Sequence, residues 1–586
     1  MGWRIVLIVI SLLMVSVLEL GKHTLWGWVI AAALILCFWI LKAKHTLPSG
    51  GWKGLGMWCA LLALLAGTLA ISWPPYQAIP AVSGKGCQET EVVHTSLGDV
   101  TGIRTEDGQV EVFAGIPYAK PPVGELRWKE PQPVDPWEGV LKADHFAPMS
   151  MQTRNLPIYN SLAQIIGYHD YEIRIGDEFR EPVSEDSLYL NIWRPAGGGE
   201  KLPVLVYIHG GSLQTGQPSY KDYSGLGLAR NGVIVVNMGY RLGIFGFFAS
   251  EELAAESPHG TTGNYGLLDQ ILALEWVRDH IRDFGGDPEN VTIAGESAGA
   301  ACVTALCTSP LAKGLFRRAI AESSTVTAKS PAHSFRSFSD ALEAGKVTMM
   351  KYGATDIAAM RQLPAEKIAG ELSEHHHITV DGYVLPKTPY EAYQAGEYNE
   401  EATLHGYNRE EAAPFILFSQ ATTKNYQEKV RAYFGEYSDR VLALYPGRTD
   451  EEAKRNWADI YTVVLFTYGH ANWERQAVQN GVPTWVYHFT KTNGRLSAWH
   501  SGEEVYFYGN IPEGSKLYDE KDRELSEAMK AYFINFIRNG DPNGEGLPEW
   551  PRGTGAGVLT LGEEITWGTA PYQELNQILD EMFGAV

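Results

Sequence analysis

Hydrophobic residues are distributed differently on the two sides of about residue 80. Before it, three apolar runs cover residues 4–20, 24–41 and 54–73, and no polar face interrupts any of them. A membrane-spanning helix needs roughly 20 such residues, a length that the second and third runs approach or reach. The first run also suits a signal-peptide core, although no small-residue cleavage site follows it. We expect about three transmembrane helices.

Charged residues between these runs predict their orientation. Lys42, Lys44 and Lys53 lie between the second and third runs, whereas Glu19, at the end of the first run, and Lys22 are the charged residues between the apolar core of the first run and the second run. Loops rich in lysine and arginine usually stay in the cytoplasm, so the third run should lead outwards. We therefore expect a cell-membrane protein with a multi-pass anchor in the lipid bilayer and the rest of the chain on the extracytoplasmic side.

After residue 90 the pattern becomes that of strands alternating with helices. Alternating segments such as 92–94 and 110–113 predict short antiparallel strands. Continuous apolar runs at 204–208 and 233–236 are typical of strands buried on both faces. Apolar residues spaced three and four apart over 267–284 predict an amphipathic helix. Together these elements indicate an α/β fold with a large, mostly parallel central sheet flanked by helices.

This pattern divides the chain into three parts. Residues 1–80 are predicted to form the transmembrane region and residues 81–90 a linker. Pro74 and Pro75 end the last apolar run before it. Residues 91–586 show no second boundary and no internal repeat, and they are predicted to form one large domain.

Ser297 lies at the centre of the chain's strongest catalytic pattern. The strand-like residues 291–294 lead into G-x-S-x-G, formed by Gly295, Ser297 and Gly299, and a helical run of small residues follows. This order is typical of a nucleophile elbow, a tight strand-to-helix turn that exposes a serine hydroxyl above a sheet. A Cβ in place of either glycine should collide with the neighbouring strand and helix. The turn also places the Ala298 N–H at a helix N-terminus, which favours an oxyanion.

A serine of this kind needs a base to take its proton and an acid to hold the base's tautomer. In this arrangement the acid and then the histidine follow the serine along the chain. Glu411 is the favoured acid because it follows the strand-like residues 402–405, yet the residues alone barely separate it from Glu410. His500, which comes after the strand-like run 484–489, is the favoured base.

The glycine-rich segment 209–212 follows a buried strand and precedes the serine. Backbone N–H groups of such a segment form an oxyanion hole in enzymes with an elbow, and a merely tight glycine turn is the alternative. Its occurrence together with the elbow favours the oxyanion hole.

Composition and net charge limit the classes of partner and cofactor that we expect. The formal net charge is −21, and no basic segment offsets it, so nucleic acid is not expected as a partner. The five cysteines show neither a disulfide framework nor a metal-ligand spacing. The histidines at 375–377 are interpreted as a solvated loop rather than a metal site. No metal or organic cofactor is expected.

Several motifs in order resemble the type-B carboxylesterase/cholinesterase family of α/β-hydrolases. The resemblance covers nearly all of the region from residue 92 to 551. The motifs lie at residues 113–119, 126–128, 185–193, 264–266, 284–288, 295–299, 540–544 and 548–551.

The resemblance implies roles that spacing leaves open. The family's G-x-N-x-x-E motif falls on Gly406, Asn408 and Glu411, which favours Glu411 over Glu410 as the acid, and its histidine motif falls on His500. Further roles fall on residues near the serine and the histidine. The oxyanion donors are Gly211, Ser212 and Ala298, and the supporting groups are Glu296, Glu503 and Ser323.

The chain departs from the family pattern at a few positions. Ser187, and by position Ser150, stand where the family has the cysteines of an early disulfide, so that bridge is absent. Ser212 and Leu213 replace a glycine and an aromatic residue, and Leu213 is expected to change the wall of the substrate pocket. Ser501 replaces a glycine after the histidine.

These observations predict a serine carboxylesterase that hydrolyses uncharged carboxylic esters through an acyl-enzyme, with a small-molecule ester as its substrate. The alternative is a catalytically silent surface adhesion or scaffold protein of the same fold. The family that the chain resembles includes such cell-surface binding members, which typically lack the nucleophile, whereas Ser297, Glu411 and His500 are all present here.

Overall fold

The structure is a computed structural model. It describes residues 2–20, 23–48, 50–73, 79–82, 84–153, 182–331, 335–371, 375, 377–416, 419–493 and 497–585. The chain forms two compact units. One contains the N-terminal helices, and the other comprises Ile79–Thr153 and Val183–Val586.

The N-terminal unit contains three helices at the places of the three apolar runs: α1 (Gly2–Leu20), α2 (Leu25–Ala43) and α3 (Gly51–Ile71). Leu18, Ala31 and Leu65 belong to the apolar cluster within this unit. Among the described residues, α2 and α3 are long and apolar enough to cross a membrane, whereas the apolar part of α1 is shorter. Helices of this kind serve as membrane anchors or as signal sequences, so an anchor with about three spans stays a prediction.

A twelve-stranded sheet organises the second unit. Its spatial order is β1-β2-β3-β4-β6-β5-β7-β8-β9-β10-β11-β12, numbered along the chain. The strands are β1 (Gln88–Glu89), β2 (Ile103–Arg104), β3 (Val110–Pro117), β4 (Tyr189–Pro195), β5 (Leu202–Ile208), β6 (Ile234–Met238), β7 (Gly286–Glu296), β8 (Arg318–Glu322), β9 (Ala402–Asn408), β10 (Thr484–Phe489), β11 (Gly557–Leu561) and β12 (Ile565–Thr569).

The seven central strands, from β6 to β11 in spatial order, are parallel to one another. Strands β1 to β4 on one side and β12 on the other pair antiparallel, so the sheet as a whole is mixed. The predicted parallel sheet is therefore confirmed for its centre. The strands β11 and β12 were not among the predicted elements.

Helices cover both faces of this sheet. Alternate residues of β5 enter two different cores, because Val206 and Ile208 belong to one hydrophobic cluster and Leu205 and Tyr207 to another.

The described helices of this unit are α4 (Leu226–Ala229), α5 (Gly243–Phe247), α6 (Glu251–Glu256), α7 (Tyr265–His280), α8 (Ala298–Thr308), α9 (Phe338–Tyr352), α10 (Ile357–Arg361), α11 (Ala365–Ile368), α12 (Pro389–Gln394), α13 (Tyr426–Phe434), α14 (Ser438–Leu444), α15 (Asp450–Thr462), α16 (Tyr468–Asn480), α17 (Glu504–Phe507), α18 (Glu520–Asn539) and α19 (Gln573–Phe583). A π-helical turn, Val463–Thr467, joins α15 to α16.

The described residues of this unit also form three short sheets. The first consists of Val93–Thr95, Gly98–Thr101 and Val140–Lys142, and the second pairs Phe335–Ser337 with Ile378–Val380. The third pairs Met149–Ser150 with Val183–Ser184 in parallel. The five cysteines are free, and Ser150 donates a hydrogen bond to the carbonyl of Tyr240 (2.7 Å). The resemblance implied a missing disulfide between the positions of Ser150 and Ser187. Main-chain pairing of Met149–Ser150 with Val183–Ser184 joins the same two segments.

Candidate active site

Ser297 lies at the turn between β7 and α8 with φ 54° and ψ −122°, a conformation that non-glycine residues rarely adopt. Its N–H donates to the carbonyl of Glu322 (2.8 Å), and its carbonyl accepts from the N–H of Ala301 (3.0 Å). A Cβ added at Gly299 would lie 2.0 Å from the carbonyl oxygen of Ile208 on β5. The glycine therefore lets helix α8 approach the sheet, as the sequence pattern predicts.

The Ser297 hydroxyl, the His500 ring and the Glu411 carboxylate form a continuous line of hydrogen bonds. The Ser297 Oγ lies 2.9 Å from His500 Nε2, and His500 Nδ1 lies 2.6 Å from Glu411 Oε2. Because a carboxylate only accepts hydrogen bonds, Nδ1 carries the ring proton and Nε2 accepts from the serine hydroxyl. The geometry can therefore pass the serine proton to the ring.

Glu411 and its neighbour Glu410 occupy very different environments. Glu411 is fully buried, and its other oxygen, Oε1, accepts the N–H of Asn408 at the end of β9 (2.7 Å). The Glu410 carboxylate instead pairs with Arg409 (2.8 Å) and is 38 % exposed. The contacts of the two residues thus favour Glu411 as the partner of the histidine, in agreement with the resemblance.

Asn408 connects the segment that carries the acid with the segment that carries the histidine. Its side-chain amide donates to the carbonyl of Trp499 (2.7 Å) and to the carboxylate of Glu503. Glu503 also accepts from the hydroxyl of Ser323 (2.6 Å). Burial, together with the charge of Glu411, raises the pKa of Glu503 to about 7. The sequence analysis predicted Asn408 only as part of the G-x-N-x-x-E motif. Its role in bridging two segments could not be predicted, because these contacts depend on tertiary structure.

Glu296 lies on the other side of the histidine. Its Oε1 lies 3.2 Å from His500 Nε2 and accepts the hydroxyl of Ser501 (2.7 Å). Burial, with the charges of Glu504 and Glu503, raises the pKa of Glu296 well above its ordinary value. The predicted supporting groups are therefore found near the site: Glu296 contacts His500, Glu503 interacts with Glu411, and Ser323 contacts Glu503, although their roles stay predictions.

The glycine-rich segment after β5 is a tight, left-handed turn. Gly211, Ser212 and Leu213 have φ values of 102°, 57° and 57°, and the carbonyl of Gly211 accepts the N–H of Thr215 (2.9 Å). A Cβ at Gly211 would lie 2.2 Å from the carbonyl oxygen of Thr215. The turn fixes the peptide units whose N–H groups are predicted to bind an oxyanion.

His209 stabilises the start of this turn. Its Nδ1 donates to the carbonyl of Gly210 (2.9 Å), and its ring stacks on Tyr240. Burial lowers the pKa of His209 to about 4, which keeps the ring neutral. Leu213 is fully buried in the main hydrophobic cluster, and its predicted effect on the substrate pocket stays a prediction.

Two phenylalanine rings contact the histidine, and the sequence provided no signal for either. The ring centroids of Phe415 and Phe466 lie 5.2 and 4.7 Å from that of His500. Phe466 belongs to the π-helical turn, and Phe415 is 49 % exposed. They form an apolar surface beside the imidazole ring of His500.

The interpretation of the histidines at 375–377 as a solvated loop is wrong for His375. This side chain is 1 % exposed, and its Nε2 lies 2.6 Å from the hydroxyl of Thr348. Packing against the ring of Phe248 explains its burial. Within the described part of the chain, no three His, Cys, Asp or Glu side chains are arranged to hold a metal ion.

The chain is similar to known esterases over most of its length. The sequence model of the Carboxylesterase family matches residues 89–570. The fumonisin B1 esterase of Sphingopyxis macrogoltabida is 32 % identical over 538 residues, which cover 87 % of this chain and 94 % of that protein. Carboxylesterase 1C of Rattus norvegicus is 34 % identical over 499 residues, covering 79 % and 87 % of the two chains.

A solved structure agrees with the sequence relatives. The carboxylesterase of Geobacillus stearothermophilus has a TM-score of 0.70 and 30 % identity, over 83 % of this chain and all of that one. This likeness and the mixed sheet establish the α/β-hydrolase fold. The chain therefore belongs to the carboxylesterase family and is a carboxylic ester hydrolase.

Proposed function

We propose that Ser297, His500 and Glu411 form the catalytic triad of this esterase. The observation that carries the proposal is the unbroken hydrogen-bonded line from the Ser297 Oγ through the imidazole to the buried carboxylate, with distances of 2.9 and 2.6 Å. The three residues follow the parallel strands β7, β10 and β9, respectively. They therefore lie beyond the carboxyl ends of these strands, where the active sites of open α/β sheets are found.

In the proposed reaction, Ser297 Oγ attacks the carbonyl carbon of an uncharged ester while His500 Nε2 takes the hydroxyl proton. The carbonyl oxygen becomes an oxyanion, which the N–H groups of Gly211, Ser212 and Ala298 bind. His500 then protonates the departing alkoxide, which leaves as an alcohol, and an acyl-enzyme remains. A water molecule attacks the acyl carbon while its proton passes to His500, and a second oxyanion forms. His500 then returns that proton to Ser297 Oγ as the bond between Oγ and the acyl carbon breaks, which releases the carboxylic acid and restores the serine.

The supporting groups have defined tasks in this proposal. Glu411 holds the Nδ1–H tautomer of His500 and stabilises the imidazolium. Glu503 and Ser323 hold Asn408 and the segment that carries His500. Leu213 contributes to the wall of the substrate pocket. The relatives reported above are named as esterases, and none of them supports an adhesion function.

The acyl-enzyme offers a direct test. We expect rapid acid quenching of the full-length protein with p-nitrophenyl butyrate to yield one acyl group per chain, attached to the peptide that contains Ser297. Mass spectrometry of digested samples locates the acyl group. Its reproducible attachment to another residue, with Ser297 unmodified during turnover, would contradict the assignment of the nucleophile.

We also propose that residues 1–80 anchor the protein in the cell membrane through about three helices, followed by a linker at 81–90 and a catalytic domain at 91–586 on the extracytoplasmic side. The length and apolar character of α2 and α3 and the lysine-rich loop between them support this topology.

A cysteine-labelling experiment tests this topology. In a variant whose five native cysteines are replaced by serine, a cysteine placed at Glu545, on the exposed surface of the catalytic domain, should react in intact cells with a membrane-impermeant maleimide. A cysteine placed instead at His45, between α2 and α3, keeps the lysines of that loop and should react only after the membrane is permeabilised. The reverse pattern would show that the orientation is wrong, and release of the protein by carbonate washing would show that it is not a membrane-spanning protein.

A further inference from the structure

Ser501 makes a contact that links it to the reacting nitrogen of the histidine. Its hydroxyl donates to Glu296 Oε1 (2.7 Å), and that same oxygen lies 3.2 Å from His500 Nε2. Nε2 in turn lies 2.9 Å from the Ser297 hydroxyl. One carboxylate oxygen therefore faces both the Ser501 hydroxyl and the nitrogen that receives the serine proton.

The backbone of Ser501 is held in an unfavourable conformation. Its φ of 68° lies in the left-handed region, where glycine has no steric cost and serine does. Its carbonyl accepts the N–H of Glu504 at the start of α17, which fixes this turn (3.3 Å). Strain of this kind clusters at functional sites, and here the side chain that causes it makes a partly buried hydrogen bond to a residue in contact with the histidine.

The surroundings of Glu296 oppose a negative charge on it. The carboxyl groups of Glu411, Glu503 and Glu504 face it, and the phenols of Tyr207 and Tyr508 interact with it. The pKa of Glu296 is raised by burial first and by these charges second, whereas the hydrogen bond from Ser501 acts in the opposite direction. Among the described residues, the imidazole of His500 forms an ion-pair contact with the Glu296 carboxyl (3.2 Å).

We propose that Ser501 is a positioning residue, which keeps Glu296 Oε1 as a hydrogen-bond acceptor facing His500 Nε2. An acceptor there stabilises the imidazolium that forms when His500 takes the proton of Ser297. A protonated Oε1 would instead donate to Nε2 and compete with the serine hydroxyl. The Ser501 hydroxyl opposes this state, because the proton that it donates to one lone pair of Oε1 lowers the tendency of that carboxyl to take up a proton. This inference rests on the proposed triad.

The test compares Ser501→Ala and Ser501→Gly with the wild type in the pH profile of kcat/KM for p-nitrophenyl butyrate. Both variants lack the hydroxyl and its hydrogen bond, but only glycine also removes the backbone strain. We therefore expect the melting temperature of the glycine variant to stay close to that of the wild type and that of the alanine variant to be lower. We expect the acid limb to move to lower pH by about 0.5 to 1 unit in both, because a less negative Glu296 favours the imidazolium less. The plateau rate should fall about threefold to tenfold.

A double-variant experiment separates this role from a structural one. Glu296→Gln should shift the acid limb in the same direction, and adding Ser501→Gly to it should cause no further shift, because the hydroxyl acts through the carboxylate. An unchanged acid limb in both Ser501 variants, or an additive shift in the double variant, would overturn the inference. Ser297→Ala keeps the two proposals distinct, since full activity in that variant would refute the triad itself.

Discussion

Substitution of Ser297 by alanine should lower kcat/KM for p-nitrophenyl esters by about 10⁴-fold or more. Alanine removes the atom that forms the acyl-enzyme, whereas the oxyanion donors and the substrate contacts remain. The residual rate should equal the acceleration over uncatalysed hydrolysis that substrate binding and the oxyanion donors provide without the nucleophile. Steady-state release of p-nitrophenol measures this loss in purified full-length protein.

Ser309→Ala provides the matched control for this substitution. Ser309 is also a buried serine next to α8, but its hydroxyl donates to the carbonyl of Val384 (2.7 Å), away from the histidine. We expect its activity to stay within about threefold of the wild type, since loss of one such hydrogen bond affects stability more than chemistry. Comparable losses in both variants would mean that Ser297 acts through folding, and melting temperatures distinguish the two cases.

The second large effect is expected for Glu411→Gln. The amide would donate a hydrogen bond to His500 Nδ1 and thereby place the ring proton on Nε2, where it blocks proton transfer from Ser297. We expect kcat to fall about 10³- to 10⁴-fold, with little change in the fold because glutamine has nearly the same shape. The loss should appear in kcat rather than in KM.

Glu410→Gln is the control for this variant, since the two side chains are adjacent in sequence and differ in environment. The Glu410 carboxylate is partly exposed and pairs with Arg409, so its loss should change kcat by less than about twofold. If Glu410→Gln caused the large loss and Glu411→Gln the small one, the assignment of the acid would have to be reversed.

The sequence could predict those parts of the site that depend on local backbone geometry. Gly295 and Gly299 identify the elbow because only their missing Cβ atoms allow β7 and α8 to pack as they do. The buried strands are likewise visible as apolar runs, and the run at 484–489 coincides with β10. The choice of Glu411 over Glu410 needed the family resemblance, since both follow the same strand.

The remaining parts depend on contacts between distant segments. Asn408 lies beyond the predicted end of its strand, and its amide meets a carboxylate 95 residues away. Ser501 and Glu296 are 205 residues apart, and Phe415 and Phe466 reach the histidine from two further segments. No periodicity or spacing encodes such contacts, because they follow from how the strands and helices pack.

The measurement that tests the central claim most directly is the ester hydrolysis rate of Ser297→Ala, Glu411→Gln and the variant that carries both changes. If Ser297, His500 and Glu411 act as one unit, the double variant should be no slower than Ser297→Ala alone, within about threefold. Losses that multiply in the double variant would show that the serine and the glutamate act independently, and this would contradict the proposed triad.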